Sequence, residues 1–216
     1  FRDIRSMIRD MKKRQRSAVS RRGRPRPHAP PARAHLTVLR GLPPLLESLG
    51  VACEPILNTA KLTRTDLDDP TRSAPFTELD RLVGLCVHET GCTHFGLLLG
   101  QHVNIQTFGV AGRVARNAPS VGAALNDLAA YFVLHDNGGS IAVSIHEGSV
   151  TLSYGVHVTG LRNGDQVYDM AVAAMVCVMR QLCGKAWRPE AVLLPRRRPA
   201  NIRPYRDHFM APLRFD

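Results

Sequence analysis

The feature that most constrains the fold is a nearly uninterrupted apolar stretch between Asn163 and Cys183. Its main part reads VYDMAVAAMVCVMRQLC and contains no proline or glycine. Such a run predicts a helix, and because apolar residues cover most of its circumference, the helix must pack on more than one side. Its wholly apolar part, residues 170–179, is shorter than the roughly 20 residues that a membrane span needs. The sequence therefore predicts a domain built around this helix, with no membrane span.

The positive charge is confined to one end of the chain. The formal net charge is +11, and residues 1–34 supply +10 of it, because twelve Lys or Arg residues there face only Asp3 and Asp10. This segment is also rich in proline and poor in core-forming residues, which predicts a disordered basic tail. Two interpretations stay open. The segment is either an arm that contacts DNA or acidic lipid, or a solvated tail without a partner. In the second case it could be upstream sequence translated ahead of a true start at Met7 or Met11. Residues 35–216 are nearly neutral and predict one folded domain without a general attraction to phosphate.

Periodicity predicts an α+β fold that is predominantly helical with a small antiparallel sheet. Ile141, Val143 and Ile145 alternate with polar or small residues, and the Glu147-Gly148 turn leads into a partner strand that includes Tyr154, which predicts a β-hairpin. Short strands are predicted at residues 191–194 and 213–215. The predicted helices cover residues 42–49, 54–60, 62–69, 75–90, 94–101, 108–117, 120–135, 163–183 and 202–209.

Six segments in a fixed order carry a family resemblance. They are LLESLGV (45–51), PFTELDRLVGL (75–85), THFGLLLGQ (93–101), NAPSVGAALNDLAAYFVLHD (117–136), GDQVYDMAVA (164–173) and WRPEAVLL…RRPA…PYRDHFMAPLRFD (187–216). Over about residues 35–216 the chain resembles the N-terminal effector-binding domain of bacterial AraC-type transcription regulators, in the subgroup named for an arabinose-binding-like domain.

The resemblance implies a cytoplasmic regulatory domain that binds a small-molecule effector, forms a homodimer and controls an attached DNA-binding part. In the family, the chain continues past the residues matching Phe215-Asp216 into two helix-turn-helix units. We therefore expect a chain truncated before its DNA-binding domain, which contacts DNA only through that missing part and does not contact a membrane. The alternative is a stand-alone small-molecule-binding or dimerisation protein.

Four polar side chains are candidate ligand-binding residues because pockets combine an apolar lining with a few convergent polar groups. His135 ends a predicted helix before Asn137, although a histidine at that position also has a simple capping explanation. Tyr168 and Gln166 lie at the start of the apolar helix, and Tyr154 lies on the hairpin. Asp165 and Asp169, beside them, fit the favourable interaction of acidic residues with a helix N-terminus.

No pattern for catalysis, cofactor binding or metal binding emerges. The sequence holds no nucleophile triad, paired catalytic carboxylates or phosphate-binding loop, so we expect no enzymatic activity and no cofactor. Cys86-x-His88 and Cys92-x-His94 suggest zinc ligands, but residues i and i+2 of a helix face away from each other, so we predict no metal site. The five cysteines are odd in number and scattered, which indicates free thiols. Residues 196–198, three consecutive arginines, are predicted to form a solvated turn.

Overall fold

The computed structural model describes residues 31–216, so most of the predicted basic tail, residues 1–34, lies outside the described residues. Residues Ala32–Asp216 form one compact unit. The unit is mainly helical with small sheets, which confirms the predicted α+β class.

The described chain contains nine α-helices and six short strands, and the predicted helices are all present within a few residues of their expected ends. The helices are α1 Leu42–Ser48, α2 Cys53–Thr59, α3 Arg64–Asp68, α4 Phe76–Thr90, α5 Phe95–Gln101, α6 Gly109–Arg116, α7 Val121–Tyr131, α8 Gly164–Cys183 and α9 Arg203–Phe209. The strands are β1 Arg33–His35, β2 Ser73–Pro75, β3 Gly139–His146, β4 Ser149–Val156, β5 Val192–Leu194 and β6 Leu213–Phe215. Single 3-10 turns cover Leu36–Leu39, Ile105–Phe108 and Phe132–Leu134.

Helix α8 is the centre of the core, as its apolar circumference predicts. Each residue between Gln166 and Arg180 is buried or half-buried. The helix contributes to three hydrophobic clusters: Val167 packs with α1–α5, Ala173 with β5 and α9, and Val178 with α6 and α7. Because α8 is enclosed on several sides, it touches most of the domain and can connect distant parts of it.

Two glycines allow α5 to lie unusually close to α8. A Cβ atom on Gly96 would stand 2.1 Å from the carbonyl oxygen of Gln166, and one on Gly100 would stand 2.3 Å from that of Met170. No side chain fits at such distances from backbone atoms. The small residues in GLLLG therefore fix the separation of these two helices.

The hairpin β3–β4 forms as predicted. Its turn residues Glu147 and Gly148 both have positive φ, at 50° and 80°, as a two-residue turn matching the right-handed strand twist requires. The register pairs Gly139 with Val156 and His146 with Ser149.

The other strand pairings differ from the predicted arrangement. Strands β5 and β6 pair in parallel, with Val192 opposite Leu213, whereas the expected sheet was antiparallel throughout. Strand β1 pairs antiparallel with β2, and neither strand was predicted. Arg33 and Ala34, which the distribution of positive charge placed in the predicted tail, therefore lie in the folded unit. Strands of three residues carry no periodicity that a sequence pattern could reveal, and their pairing depends on tertiary contacts.

Candidate functional site

A cavity of about 70 Å³ lies inside the domain between α8, α4 and the hairpin. One face of α8 forms a wall, because its cavity-lining residues recur at the spacing of a single helical face. These residues are Val167, Met170, Ala171, Ala174 and Met175. The remaining lining residues, mostly apolar, are Ala34, Val38, Leu39, Phe76, Leu79, Asp80, Val83, Val103, Phe108, Phe132, His135, Asp136, Ile141 and Tyr154. By composition, this is the kind of pocket that binds small molecules.

Asp136 and Tyr154 form a fixed polar pair in the cavity wall. The Asp136 carboxylate accepts hydrogen bonds from the backbone N–H groups of Gly138 at 2.8 Å and Gly139 at 3.0 Å. Its other oxygen accepts the Tyr154 hydroxyl at 2.9 Å. Burial raises the pKa of Asp136, against the lowering effect of these hydrogen bonds, and burial beside this acid raises the pKa of Tyr154 well above its ordinary value. The Tyr154 hydroxyl is therefore neutral, and its position is set by the start of the hairpin.

Strand β1 holds the segment that carries His135. The His35 N–H donates to the carbonyl oxygen of His135 at 2.9 Å, and the Asn137 N–H donates to that of Arg33 at 3.1 Å. An isolated antiparallel bridge joins Ala34 to Asp136. The unpredicted strand β1 thus fixes the polar end of the cavity.

The His135 imidazole lies among rings and forms no hydrogen bond to any described residue. Its ring centroid is 5.1 Å from that of Phe108, 5.9 Å from that of Phe132 and 5.5 Å from that of His35. Only 6% of the residue is exposed. Burial, aided by the nearby His35, lowers the pKa of His135 to about 4, so the ring is neutral at pH 7. A neutral imidazole offers one N–H donor and one nitrogen acceptor, and His135 lines the cavity without a hydrogen bond from either ring nitrogen to a described residue.

Asp80 also borders the cavity, but its carboxylate is committed to the N-terminus of α8. It accepts the N–H groups of Arg162 at 3.0 Å and Asn163 at 2.9 Å. The Asn163 side-chain amide also donates to the Asp80 carbonyl oxygen at 2.9 Å. Asp80 therefore positions the helix that forms the cavity wall. It was not among the residues predicted from the sequence.

The structure brings together two of the four candidate residues, His135 and Tyr154, and separates the other two from the cavity lining. The Gln166 side-chain amide is used at the start of α5, where its oxygen accepts the Gly96 N–H at 2.7 Å and its nitrogen donates to the Thr93 carbonyl at 2.9 Å. The Tyr168 ring packs edge-on against Tyr154 with centroids 6.3 Å apart. Tyr168 thus stands behind the Tyr154 ring, in contact with a lining residue.

A second cavity of about 30 Å³ adjoins the first. Phe108, Ile141 and Met175 line both cavities, so these side chains form the partition between them. The other lining residues of the second cavity are all apolar: Leu125, Leu128, Leu152, Val178 and Met179. Met175 makes this partition adaptable, because the unbranched side chain of methionine changes its shape easily.

The opposite side of α8 carries a buried charge cluster. The Asp169 carboxylate is fully buried and pairs with the Arg196 guanidinium, and it accepts the Tyr205 hydroxyl at 2.6 Å. Arg196 also donates to the Tyr205 hydroxyl oxygen at 3.0 Å. The predicted solvated turn at residues 196–198 is therefore wrong for Arg196, whose side chain is only 10% exposed, because the charge of Asp169 draws it inward. This cluster joins α8 to α9 and to the segment after β5.

The cysteine and histidine pairs considered for zinc do not converge. Cys86 is buried, which raises the pKa of its thiol to about 12, whereas the His88 side chain is 83% exposed. Within residues 31–216 no group of three metal-ligating side chains occurs. All five cysteines are free thiols.

None of the helices in the described range is long and apolar enough to cross a membrane alone, and only α4 and α5 taken together pass, across a 111° bend.

Comparison with known proteins gives one family and a structural neighbour. The family model for the arabinose-binding domain of AraC transcription regulators, N-terminal, matches residues 50–216. Among solved structures, the chain is similar to the transcriptional regulator CdpR from Pseudomonas aeruginosa, at 20% sequence identity and a TM-score of 0.53. The match covers 75% of this chain and 50% of CdpR, so the chain spans half the length of that structure, and the likeness shows a shared fold. No curated protein matches the sequence.

Proposed function

Since this chain belongs to the family of N-terminal arabinose-binding domains of AraC transcription regulators, we propose that it senses a small-molecule effector and controls an attached DNA-binding domain. The observation that carries this proposal is the cavity beside α8. It combines an apolar lining with the unpartnered imidazole of His135 and the fixed hydroxyl of Tyr154. We assign these two residues as effector contacts, Tyr168 as a support for Tyr154, and Gln166 to the structural role described above.

Helix α8 supplies a physical route for the signal. Met170 and Ala174 face the cavity, while Asp169 and Ala173 on another side contact the cluster formed by β5, α9 and β6. An effector regulates only if it binds one state of the protein better than another. A ligand that shifts α8 would move this C-terminal cluster, from which the chain of an AraC-type regulator leads into its DNA-binding part.

We further propose that the domain works as a homodimer in the cytoplasm, without catalytic activity, and that DNA is contacted only by the attached part. Support for dimerisation comes from exposed apolar side chains on two elements in mutual contact, α6 and the turn Phe132–Leu134. Val110, Val114, Val133 and Leu134 are exposed there, and such patches are typical of protein interfaces. Coding sequence for two helix-turn-helix units after Asp216 would support the regulator; a stop codon there would favour the stand-alone binding protein.

Filling the cavity is expected to abolish effector binding. Ala174→Leu adds apolar volume to the lining, so a metabolite that binds the cavity should stabilise the original chain and leave this variant unchanged. At about a hundredfold excess over Kd, bound ligand should raise Tm by about 5–10 °C. A thermal-shift screen of small metabolites against both proteins measures this difference.

Two further variants make that screen decisive. Ala171→Leu fills the same cavity from the preceding turn of α8, in case the first variant is overpacked. Ala130→Leu makes the same chemical change at an exposed position of α7 and should respond to metabolites as the original chain does. Effectors that stabilise all four proteins equally would place the binding site elsewhere and refute the assignment.

A further inference from the structure

Granted the proposed function, we propose that the effector is a small uncharged molecule with a hydrocarbon body and a single hydrogen-bonding group, such as an aliphatic alcohol or ketone. Its polar group would contact His135 and Tyr154, and its hydrocarbon part would extend past Met175 into the second cavity. This assignment rests on three observations: the small number of free hydrogen-bonding groups in the lining, the charges of the lining residues, and the side chains that the two cavities share.

The supply of free hydrogen-bonding groups is too small for a sugar. Of the four polar side chains in the lining, Asp80, Asp136 and Tyr154 already form hydrogen bonds within the protein. Only His135 has both of its hydrogen-bonding atoms without a partner among the described residues. Each sugar hydroxyl buried without a partner costs binding free energy, so a pentose would leave most of its hydroxyl groups unsatisfied.

The charges of the lining disfavour ionised ligands. Its residues include no lysine or arginine, whereas Asp80 and Asp136 are acidic. A buried carboxylate ligand would therefore lie near two acids without a counter-ion, which is unfavourable in a low-dielectric site. An ammonium group finds no free carboxylate, because Asp136 already accepts three hydrogen bonds and Asp80 holds the N-terminus of α8.

The shared partition provides space for an elongated hydrocarbon. Phe108, Ile141 and Met175 separate the cavities, and the Met175 side chain can change rotamer without breaking a hydrogen bond. The cavity beyond the partition is lined by apolar residues throughout, so it suits only the apolar end of a ligand. This arrangement orients the molecule with its polar group toward His135.

Isothermal titration of the purified chain with matched small probes tests the proposal. The probes are 1-butanol, 1-hexanol and 1-octanol, together with hexanoate, hexylamine and L-arabinose. We expect affinity to rise about fourfold per methylene group until the cavities are filled. At pH 7, 1-hexanol should bind at least about tenfold more tightly than hexanoate or hexylamine, and L-arabinose should not bind.

Variants of the partition test where the hydrocarbon lies. In Met175→Ala, affinity should keep rising with alcohol length to a longer chain than in the original protein. Phe108→Leu offers a second way to open the partition if the first variant is unstable. Met210→Ala, at a residue 48% exposed and outside both linings, should leave the alcohol series unchanged. An unchanged length limit in both partition variants would contradict the extension into the second cavity.

The outcomes separate this inference from the proposed function. Binding of L-arabinose or of an ionised probe that is lost in Ala174→Leu would keep the cavity as the effector site and overturn its preference for neutral molecules. Absence of alcohol binding would also overturn the preference. Alcohol binding that persists in both cavity-filling variants would refute the cavity itself, and with it the proposed function.

Discussion

Replacing Asp169 with alanine is expected to lower the free energy of unfolding by about 3–5 kcal/mol. The reason is that Asp169 is fully buried and is the partner of the Arg196 guanidinium and the Tyr205 hydroxyl. Removing it leaves the positive charge of Arg196 in the interior without its closest counter-ion, and an arginine does not lose its proton to escape this cost. Chemical denaturation monitored by circular dichroism measures the change.

Asp165→Ala is the matched control. Asp165 also faces Arg196, but its carboxylate oxygen is 3.8 Å from the Arg196 Nε atom and its side chain is 55% exposed. Because the contact is long and the Asp165 carboxylate is exposed to solvent, we expect this ion pair to contribute less than about 1 kcal/mol. The double variant Asp169→Leu with Arg196→Met should recover much of the lost stability, because it removes both charges together. Equal destabilisation by Asp169→Ala and Asp165→Ala would show that the buried pair does not stabilise the fold.

Acidification from pH 6.5 to pH 4 is expected to destabilise the domain through His135. Its pKa is lowered from 6.5 to about 4 in the folded protein, chiefly by burial, so the unfolded chain binds a proton in this interval that the folded chain excludes. The resulting loss of stability is absent above pH 6.5, grows as the pH falls, and reaches about 3 kcal/mol near pH 4. Denaturation midpoints across this range measure it.

His135→Phe should remove that part of the pH dependence while keeping an aromatic ring beside Phe108 and Phe132. Other buried groups contribute equally to both proteins: burial also lowers the pKa of His208 to about 4, which acts in the same direction, whereas burial raises the pKa of Asp136 and Asp169, which acts in the opposite direction. His146→Phe, at an exposed hairpin position, should leave the pH dependence as it is in the original chain. If His135→Phe and the original chain lose stability in parallel between pH 6.5 and 4, the His135 ring is not held neutral by the fold.

Long elements were predictable because their residues repeat with a clear period. The apolar circumference of α8 predicted its central place, and Glu147-Gly148 predicted the hairpin turn, since both properties are local. Strands β1 and β2 and the parallel pairing of β5 with β6 were missed, because three-residue strands acquire their partners only through tertiary structure. The prediction of a solvated turn was wrong at Arg196, because the residues around it in the sequence do not reveal that it faces the buried Asp169.

The candidate site was predictable only in part. His135 and Tyr154 lie where a helix end meets a hairpin, and that junction could be located from the change of period. Gln166 and Tyr168 were proposed from their place on α8, but their orientation depends on the phase of the helix against α5 and β4. Asp80 and Asp136 were not proposed as lining residues, because Asp80 bonds to backbone groups that are distant in sequence and Asp136 is placed by its bridge to Ala34.

The central claim is that the cavity beside α8 binds the effector, and methionine-methyl NMR tests it most directly. Met170 and Met175 line the cavity, whereas Met210 is exposed at the end of α9 and lies outside it. Titration with 1-hexanol should shift the methyl signals of Met170 and Met175 with one common saturation curve and leave Met210 unchanged. Saturable binding that shifts Met210 and leaves both cavity methionines unmoved would contradict the claim.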